Sequence, residues 1–255
     1  MMIGHVYGGM CVPVPVLVYI PCFSGAPWDL AQFPDLAKWP HQAPALPEGL
    51  NSVGAYADWL SGIVGGLRSY VLIGDSFGAA VALEMAARRP TGLQAVVASG
   101  GFAANPVRQR LLRGMIRRAA HIPDFVYRPL VVPLHAWLLR SRFDSQGDRG
   151  WSMRATRELF LTHTPPHSYW ARAQASLRFD LRGRVQRIAV PVLLLTPEDD
   201  KLIAAAATAP LRDIPGVQEV TLCGTGHMFR YSHPRAYSRE VARFLRGREV
   251  LRRAQ

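Results

Sequence analysis

The sequence is poor in cysteine, in lysine and in long hydrophobic runs, and each shortage excludes a class of protein. The chain has three cysteines, at positions 11, 22 and 223, and so small and odd a number does not indicate a disulfide framework. Residues 1–37 contain no Lys or Arg, so the basic start of a secretory signal is missing. The apolar run Val12–Ile20 contains two prolines and is too short to span a bilayer. We therefore expect a soluble, cytoplasmic protein that is not transmembrane.

The charge is unevenly distributed. The chain has 255 residues and a net charge of +12, and only two of its 30 basic residues are lysines. Residues 105–187 hold sixteen arginines against five carboxylates. The ordinary interpretation is a solvated face of surface helices, and the functional one is attraction to an acidic protein or an anionic membrane surface. Nucleic acid is not an expected partner, because no recognised module is present.

Short apolar segments alternate with helical patterns, which is typical of βαβ units and a parallel sheet. The predicted strands are Val16–Ile20, Tyr70–Ile73, Gln94–Ala98, Val190–Thr196 and Gln218–Leu222. The predicted helices between and after them are Tyr56–Leu67, Phe77–Arg89, Ile203–Leu211 and Pro234–Arg246. The predicted fold class is α/β, with a mostly parallel central sheet flanked by helices.

This alternation stops between residues 105 and 187. Helical patterns such as Val107–Ala120 and Trp151–His163 occur there, separated by prolines, and no core strand is evident. We predict a core formed by residues 1–104 and 188–255, with residues 105–187 inserted as a helical cap. Trp28 of the core and Trp137, Trp151 and Phe160 of the cap are predicted to line a substrate site.

A glycine-flanked serine follows the second predicted strand directly. Gly74-Asp75-Ser76-Phe77-Gly78 fits the G-x-S-x-G pattern of a sharp strand-to-helix turn that exposes a nucleophile. Side chains two residues to either side of the serine would collide in such a turn, so both positions need glycine. A turn centred on Asp75 would place Ile73 and Phe77 at those positions, which favours Ser76 as the nucleophile.

A serine nucleophile needs a base, and the base needs an orienting carboxylate. Among eight histidines, His227 lies in a glycine-rich loop after the last predicted strand, where it could reach across the strand ends. Three carboxylates, Glu198 to Asp200, follow the preceding strand. Asp200 has the preferred register, with Asp199 as the alternative. The predicted triad is Ser76, Asp200 and His227, with no metal or organic cofactor.

The motifs GDSFG, PEDDKLI and GTGHMFRYSHP resemble those of the α/β-hydrolase superfamily, in the branch of small bacterial esterases and lipases. The resemblance implies the α/β-hydrolase fold and the chain order Ser, acid, His. Relatives carry His-Gly-x after the first core strand, where this chain has Pro21-Cys22-Phe23. By that correspondence the oxyanion hole is formed by the backbone N–H groups of Phe23 and Phe77. Cys22 is expected to be a small buried side chain rather than a thiol nucleophile.

The predicted function is hydrolysis of short- to medium-chain carboxylic esters through an acyl-enzyme. The same triad also supports thioester hydrolysis, C–C bond hydrolysis and perhydrolysis, and some members of this fold are non-catalytic ligand sensors. Carrier-protein methyl ester esterases of this superfamily use a basic cap to dock an acidic acyl carrier protein. The arginines of residues 105–187 keep that alternative open.

Overall fold

A computed structural model describes residues 14–118 and 122–247, and its centre is one parallel sheet. The strands are β1 (Val16–Ile20), β2 (His41–Gln42), β3 (Tyr70–Asp75), β4 (Leu93–Ser99), β5 (Val192–Asp199) and β6 (Gln218–Gly226). All pairings are parallel, and the strand order is β2-β1-β3-β4-β5-β6. The α/β fold class and its parallel sheet are confirmed.

Helices cover both faces of the sheet, as the buried and nearly continuous apolar strands require. The helices are α1 (Pro34–Ala37), α2 (Val53–Val64), α3 (Phe77–Ala87), α4 (Arg110–Arg118), α5 (Asp124–Val126), α6 (Val132–Leu139), α7 (Met153–His163), α8 (Pro166–Arg178), α9 (Ala205–Thr208), α10 (Phe229–Ser232) and α11 (Pro234–Gly247). α2 and α3 pack on one face, and α1 and α11 pack on the other. No helix in these described ranges is long and apolar enough to cross a bilayer.

One predicted helix is wrong in length. Instead of a helix over Ile203–Leu211, the chain forms the single turn α9 and then a 3₁₀ turn over Ala209–Asp213. Pro210 lacks the N–H that the next α-helical hydrogen bond needs. The prediction for β1 matches its observed bounds, the predictions for β3 to β6 end one to four residues too early, and β2 was not predicted.

The segment between β4 and β5 contains α4 to α8. Because β4 pairs directly with β5, the described part of this segment contributes no strand to the sheet. Isolated bridges join Ala104 to Asp180 and Val107 to Ile203, where the segment leaves and rejoins the strand ends. Residues 119–121 of this segment, which include the last two residues of the predicted helix Val107–Ala120, lie outside the described residues. The position of these helices at the carboxyl edge of the sheet brings them over the site described next.

Candidate active site

Ser76 occupies the sharp turn between β3 and α3. Its φ of +53° and ψ of −110° are angles that a residue with a side chain rarely adopts. Its N–H donates to the carbonyl of Ser99 at 2.7 Å, which ties the turn to β4. A Cβ on Gly74 would lie 2.4 Å from the carbonyl oxygen of Gly78, and a Cβ on Gly78 would lie 2.4 Å from that of Pro21. The turn therefore requires both glycines for steric reasons.

The structure brings Ser76, His227 and Asp200 into one hydrogen-bonded chain. His227 directly follows β6, and its Nε2 lies 2.9 Å from Oγ of Ser76. Its Nδ1 lies 2.8 Å from Oδ2 of Asp200. The other Asp200 oxygen, Oδ1, accepts from the N–H groups of Leu202 and Ile203, each at 2.9 Å. This arrangement can take the proton from Ser76 while its oxygen attacks an electrophilic carbon.

The neighbouring carboxylates have other partners. Asp199 accepts from the hydroxyl of Ser141 at 3.3 Å and pairs with Lys201 at 3.5 Å. Asp75 forms a buried ion pair with Arg230, at 2.7 Å between Oδ2 and Nε. The Arg230 guanidinium also lies over the rings of Trp28 and Tyr231, 4.1 Å and 3.9 Å from their centroids. Of these carboxylates, only Asp200 orients the ring of His227.

Burial and charge act in opposite directions on the pair. Burial disfavours the protonated form of the His227 ring, but the Asp200 carboxylate outweighs this effect, so the pKa of His227 is raised. Burial also disfavours the charge of Asp200, but His227 and the two backbone donors outweigh it and lower the pKa of that carboxyl. Asp200 is therefore a carboxylate at neutral pH, which suits a group that stabilises an imidazolium.

The two predicted oxyanion donors lie on adjacent segments. The phenyl rings of Phe23 and Phe77 meet edge to face at 6.1 Å, and the start of α3 packs against the backbone at Ile20 and Pro21. Within residues 14–118 and 122–247, neither Phe23 nor Phe77 uses its backbone N–H in a hydrogen bond. Cys22 is buried, with its Sγ 3.2 Å from the hydroxyl of Ser24 and 3.4 Å from that of Tyr231.

A fully buried arginine holds the loop that carries Phe23. Arg172 of α8 donates from Nη1 to the carbonyl of Phe23 at 3.0 Å and from Nε to the hydroxyl of Tyr56 at 3.2 Å. Gly25 has a φ of +78°, which favours glycine, and a Cβ there would lie 2.6 Å from Nη1 of Arg172. Nothing in the sequence distinguishes Arg172 from the other arginines of residues 105–187, and it was not predicted.

An apolar cavity of about 350 Å³ opens beside Ser76. Its walls are mostly aliphatic and aromatic side chains from the β4–β5 segment, among them Leu112, Met115, Ile116, Val126, Leu130 and Leu134. Phe23, Phe77 and Phe102 form part of the side towards the sheet. This volume is at the lower end of the range of small-molecule pockets.

The four predicted substrate-lining residues do not line this cavity. Trp28 is buried on the face of the sheet that α1 and α11 cover, and its ring lies against Arg230. Trp137 is 59% exposed, and Trp151 stacks on Tyr231 at 4.5 Å and bonds to Thr156. Phe160 is buried behind Phe23 and His135, at ring distances of 6.2 Å and 4.7 Å. Aliphatic residues, which have no motif, form most of the wall instead.

A hydrogen-bonded polar pair, His135 and Tyr169, lies in the mostly apolar wall of the cavity. The Tyr169 hydroxyl lies 2.6 Å from Nδ1 of His135. Burial, helped by the nearby His227, lowers the pKa of His135 to about 3, so the ring is neutral at any ordinary pH. The structure therefore holds a neutral, buried imidazole in the cavity wall.

Apart from His135 and His227, the described histidines do not line this cavity. His167 pairs with Glu48 at 2.8 Å, and His233 lies beside Ser232, before Pro234. His41 bonds to the carbonyl of Trp39, and His163 is exposed. His5, His121 and Cys11 lie outside the described residues. Among the described residues, no group of three or more His, Cys, Asp or Glu side chains could hold a metal ion.

Comparison with known families decides the identity of the fold. The model of the alpha/beta hydrolase family matches residues 13–240 of the chain. The chain belongs to the α/β-hydrolase family. The resemblance on which the sequence prediction rested is therefore confirmed, and the chain is a member of a family of hydrolases.

Two curated α/β-hydrolase relatives are RutD proteins, whose names give them as candidate carbamate hydrolases. Those of Klebsiella pneumoniae and Klebsiella variicola are each 27% identical over 168 residues, which is 64% of this chain. The matched part spans 60% of the length of these relatives.

Solved α/β-hydrolase structures align over nearly the whole chain. A thermophilic esterase from Thermogutta terrifontis is 20% identical, with 92% of this chain and 90% of that one covered and a TM-score of 0.73. A hydrolase from Pseudomonas aeruginosa is 18% identical, with 91% and 89% covered and a TM-score of 0.71. The enol-lactonase from Burkholderia xenovorans is 19% identical, with 94% of both chains covered and a TM-score of 0.70. At these identities the similarity shows the fold alone.

Proposed function

We propose that this α/β hydrolase cleaves carboxylic esters through an acyl-enzyme on Ser76. The observation that carries the proposal is the hydrogen-bonded chain from Ser76 through His227 to Asp200, placed beside an apolar cavity. The hydrocarbon walls favour an acyl group, because burying each CH₂ contributes about 0.8 kcal/mol. The cavity volume of about 350 Å³ suits an acyl group of short to medium length.

The first half of the reaction follows from the geometry. His227 Nε2 takes the proton of Ser76 as Oγ bonds to the ester carbonyl carbon. The carbonyl oxygen becomes an oxyanion, which the N–H groups of Phe23 and Phe77 stabilise. When the intermediate collapses, the C–O bond to the alcohol breaks and His227 returns the proton to the departing oxygen.

The second half repeats these steps with water. His227 removes a proton from water as the water oxygen attacks the acyl carbon, and Ser76 leaves with that proton restored. Asp200 keeps the ring of His227 oriented and stabilises its protonated state throughout.

The direct test is turnover of p-nitrophenyl acetate, butyrate and octanoate by the unaltered protein and by Ser76→Ala. We expect turnover by the unaltered protein and a loss of about 10⁴-fold or more in the variant. Labelling of Ser76 by a fluorophosphonate probe reports an activated nucleophile independently of the substrate. Turnover that survives Ser76→Ala would contradict the proposal.

A wider panel of substrates separates the alternative reactions of this fold. The panel contains acyl thioesters, carrier-protein methyl esters, diketones that are cleaved at a C–C bond, and hydrogen peroxide with a carboxylic acid. Carbamates are added because of the RutD relatives. Labelling at Ser76 without ester turnover would move the proposal to one of these reactions. No labelling at all would favour a non-catalytic ligand sensor.

A further inference from the structure

Exposed large apolar side chains are concentrated in the segment that forms most of the cavity wall. Among the described residues eight such side chains are strongly exposed, and six of them lie within residues 111–137. We call these six the rim patch: Leu111, Met115, Phe125, Leu130, Leu134 and Trp137. Their exposed fractions run from 45% for Leu134 to 80% for Phe125. Concentrated exposed apolar surface of this kind marks an interaction site.

The rim patch is continuous with the cavity interior. Met115, Leu130 and Leu134 line the cavity and are at the same time exposed to solvent. Leu111 lies one helical turn from Met115 on α4, and Trp137 lies one turn from Leu134 on α6. A hydrocarbon chain could therefore pass from a surface covering the rim patch to Ser76 along apolar side chains.

The segment that carries the rim patch is rich in arginine and has almost no carboxylates. Residues 105–142 contain eight arginines and a single carboxylate, Asp124. In the described part of the chain none of these eight arginines has a carboxylate within 4.0 Å, and five of them lie on and near α4 and α5: Arg110, Arg113, Arg117, Arg118 and Arg128. α4 has no buried residue and carries arginines beside an apolar stripe. This composition is that of a helix lying in the plane of a membrane interface.

We infer that the rim patch and its arginines dock the protein on an anionic lipid bilayer. Such a surface offers both a hydrocarbon layer for the apolar side chains and negative headgroups for the arginines. An acidic carrier protein would satisfy the arginines but would leave Phe125 and Trp137 facing a polar partner. The inference rests on the proposed function only for the direction in which an acyl chain enters the cavity.

The test is co-sedimentation of the Ser76→Ala protein with phosphatidylcholine vesicles that do or do not contain phosphatidylglycerol. The serine variant keeps the lipids intact, so binding is measured whether or not the esterase proposal holds. We expect binding to the anionic vesicles, weakened by salt, and little binding to phosphatidylcholine alone. Emission from Trp137 should shift to shorter wavelength on binding, and Trp137→Phe should remove that shift.

Two matched pairs of variants locate the contact. The first pair consists of two triple variants in which three arginines are changed to Gln, so that the net charge falls equally in both. One variant changes arginines of α4, the other exposed arginines of α11: Arg110, Arg113 and Arg117 against Arg235, Arg239 and Arg246. Each arginine at an anionic surface contributes about fivefold to partitioning, so the α4 variant should lose well over tenfold and the α11 variant much less. The second pair compares Phe125→Ser with Leu161→Ser, whose side chain is 38% exposed outside the rim patch.

Equal losses in the two arginine variants would overturn the inference, because binding would then follow net charge rather than the rim patch. Unchanged binding by Phe125→Ser relative to Leu161→Ser would also overturn it. Binding to acyl carrier protein in place of anionic vesicles would identify an acidic protein as the partner.

Discussion

Replacement of Asp200 by asparagine is the sharpest test of the proposed triad, because the structure fixes how the new side chain must sit. Oδ1 of Asp200 accepts from two backbone N–H groups, so the amide oxygen of Asn must take that place. The amide nitrogen then faces Nδ1 of His227, where Oδ2 was. An NH₂ group donates to Nδ1 and forces the ring proton onto Nε2. That nitrogen can no longer accept the proton of Ser76.

The size of this effect follows from the tautomer. An aspartate-to-asparagine change at this position of a triad lowers turnover by about 10⁴-fold while leaving the geometry intact. Asp199→Asn is the matched control, because its carboxylate contacts Ser141 and Lys201 but not His227. We expect that control to change turnover only a few-fold.

The pH profile gives a second readout of the same pair. Protonated His227 cannot act as a base, so kcat/KM falls as the pH drops below its pKa. Asp200 raises that pKa, so the acid limb of the unaltered enzyme should lie at higher pH than the ordinary pKa of histidine predicts. In Asp200→Asn the limb should move to lower pH, since the carboxylate is gone. Full activity in Asp200→Asn, or an equal loss in Asp199→Asn, would refute the reasoning.

Three further predictions concern the cavity and its supports. In a p-nitrophenyl ester series, kcat/KM should rise about fourfold for each added CH₂ and level off at the length that fills the cavity, and a flat series would contradict an acyl site there. Gly78→Ala should abolish turnover and lower the melting temperature, because its Cβ would lie 2.4 Å from a carbonyl oxygen. The control is Gly62→Ala in α2, which has open space around it and should stabilise the fold by up to ~1 kcal/mol. Arg230→Met leaves Asp75 buried without its partner and should lower the free energy of unfolding in urea by about 3–5 kcal/mol; an unchanged value would show that the pair is not needed.

The sheet and the turn at Ser76 could be predicted from sequence because their signals are local. A strand, a glycine-flanked serine and a mostly apolar helix follow one another within about twenty residues, and sterics alone require the glycines. The choice of His227 rested on the same reasoning, since the carboxyl ends of parallel strands share one edge of the sheet. Asp200 could be preferred over Asp199 only by register, and the contact that separates them is visible only in three dimensions.

The cavity could not be predicted in the same way. The aromatic residues predicted to line it pack elsewhere, because the packing of large rings depends on which neighbours the tertiary fold supplies. Arg172 shows the same limit. Its role follows from complete burial and from its bonds to Phe23 and Tyr56, which are 149 and 116 residues away in the chain.

The position of Arg172 links the shape of the cavity to the placement of the Phe23 backbone. α8 supplies both Arg172, which bonds to the loop carrying a proposed oxyanion donor, and cavity residues such as Tyr169 and Ala173. A shift of α8 would therefore change the shape of the acyl site and the placement of the Phe23 backbone together. Substitutions along α8 should accordingly alter chain-length preference and turnover in concert, whereas substitutions on α4, which lines the cavity without holding that loop, should alter chain-length preference alone.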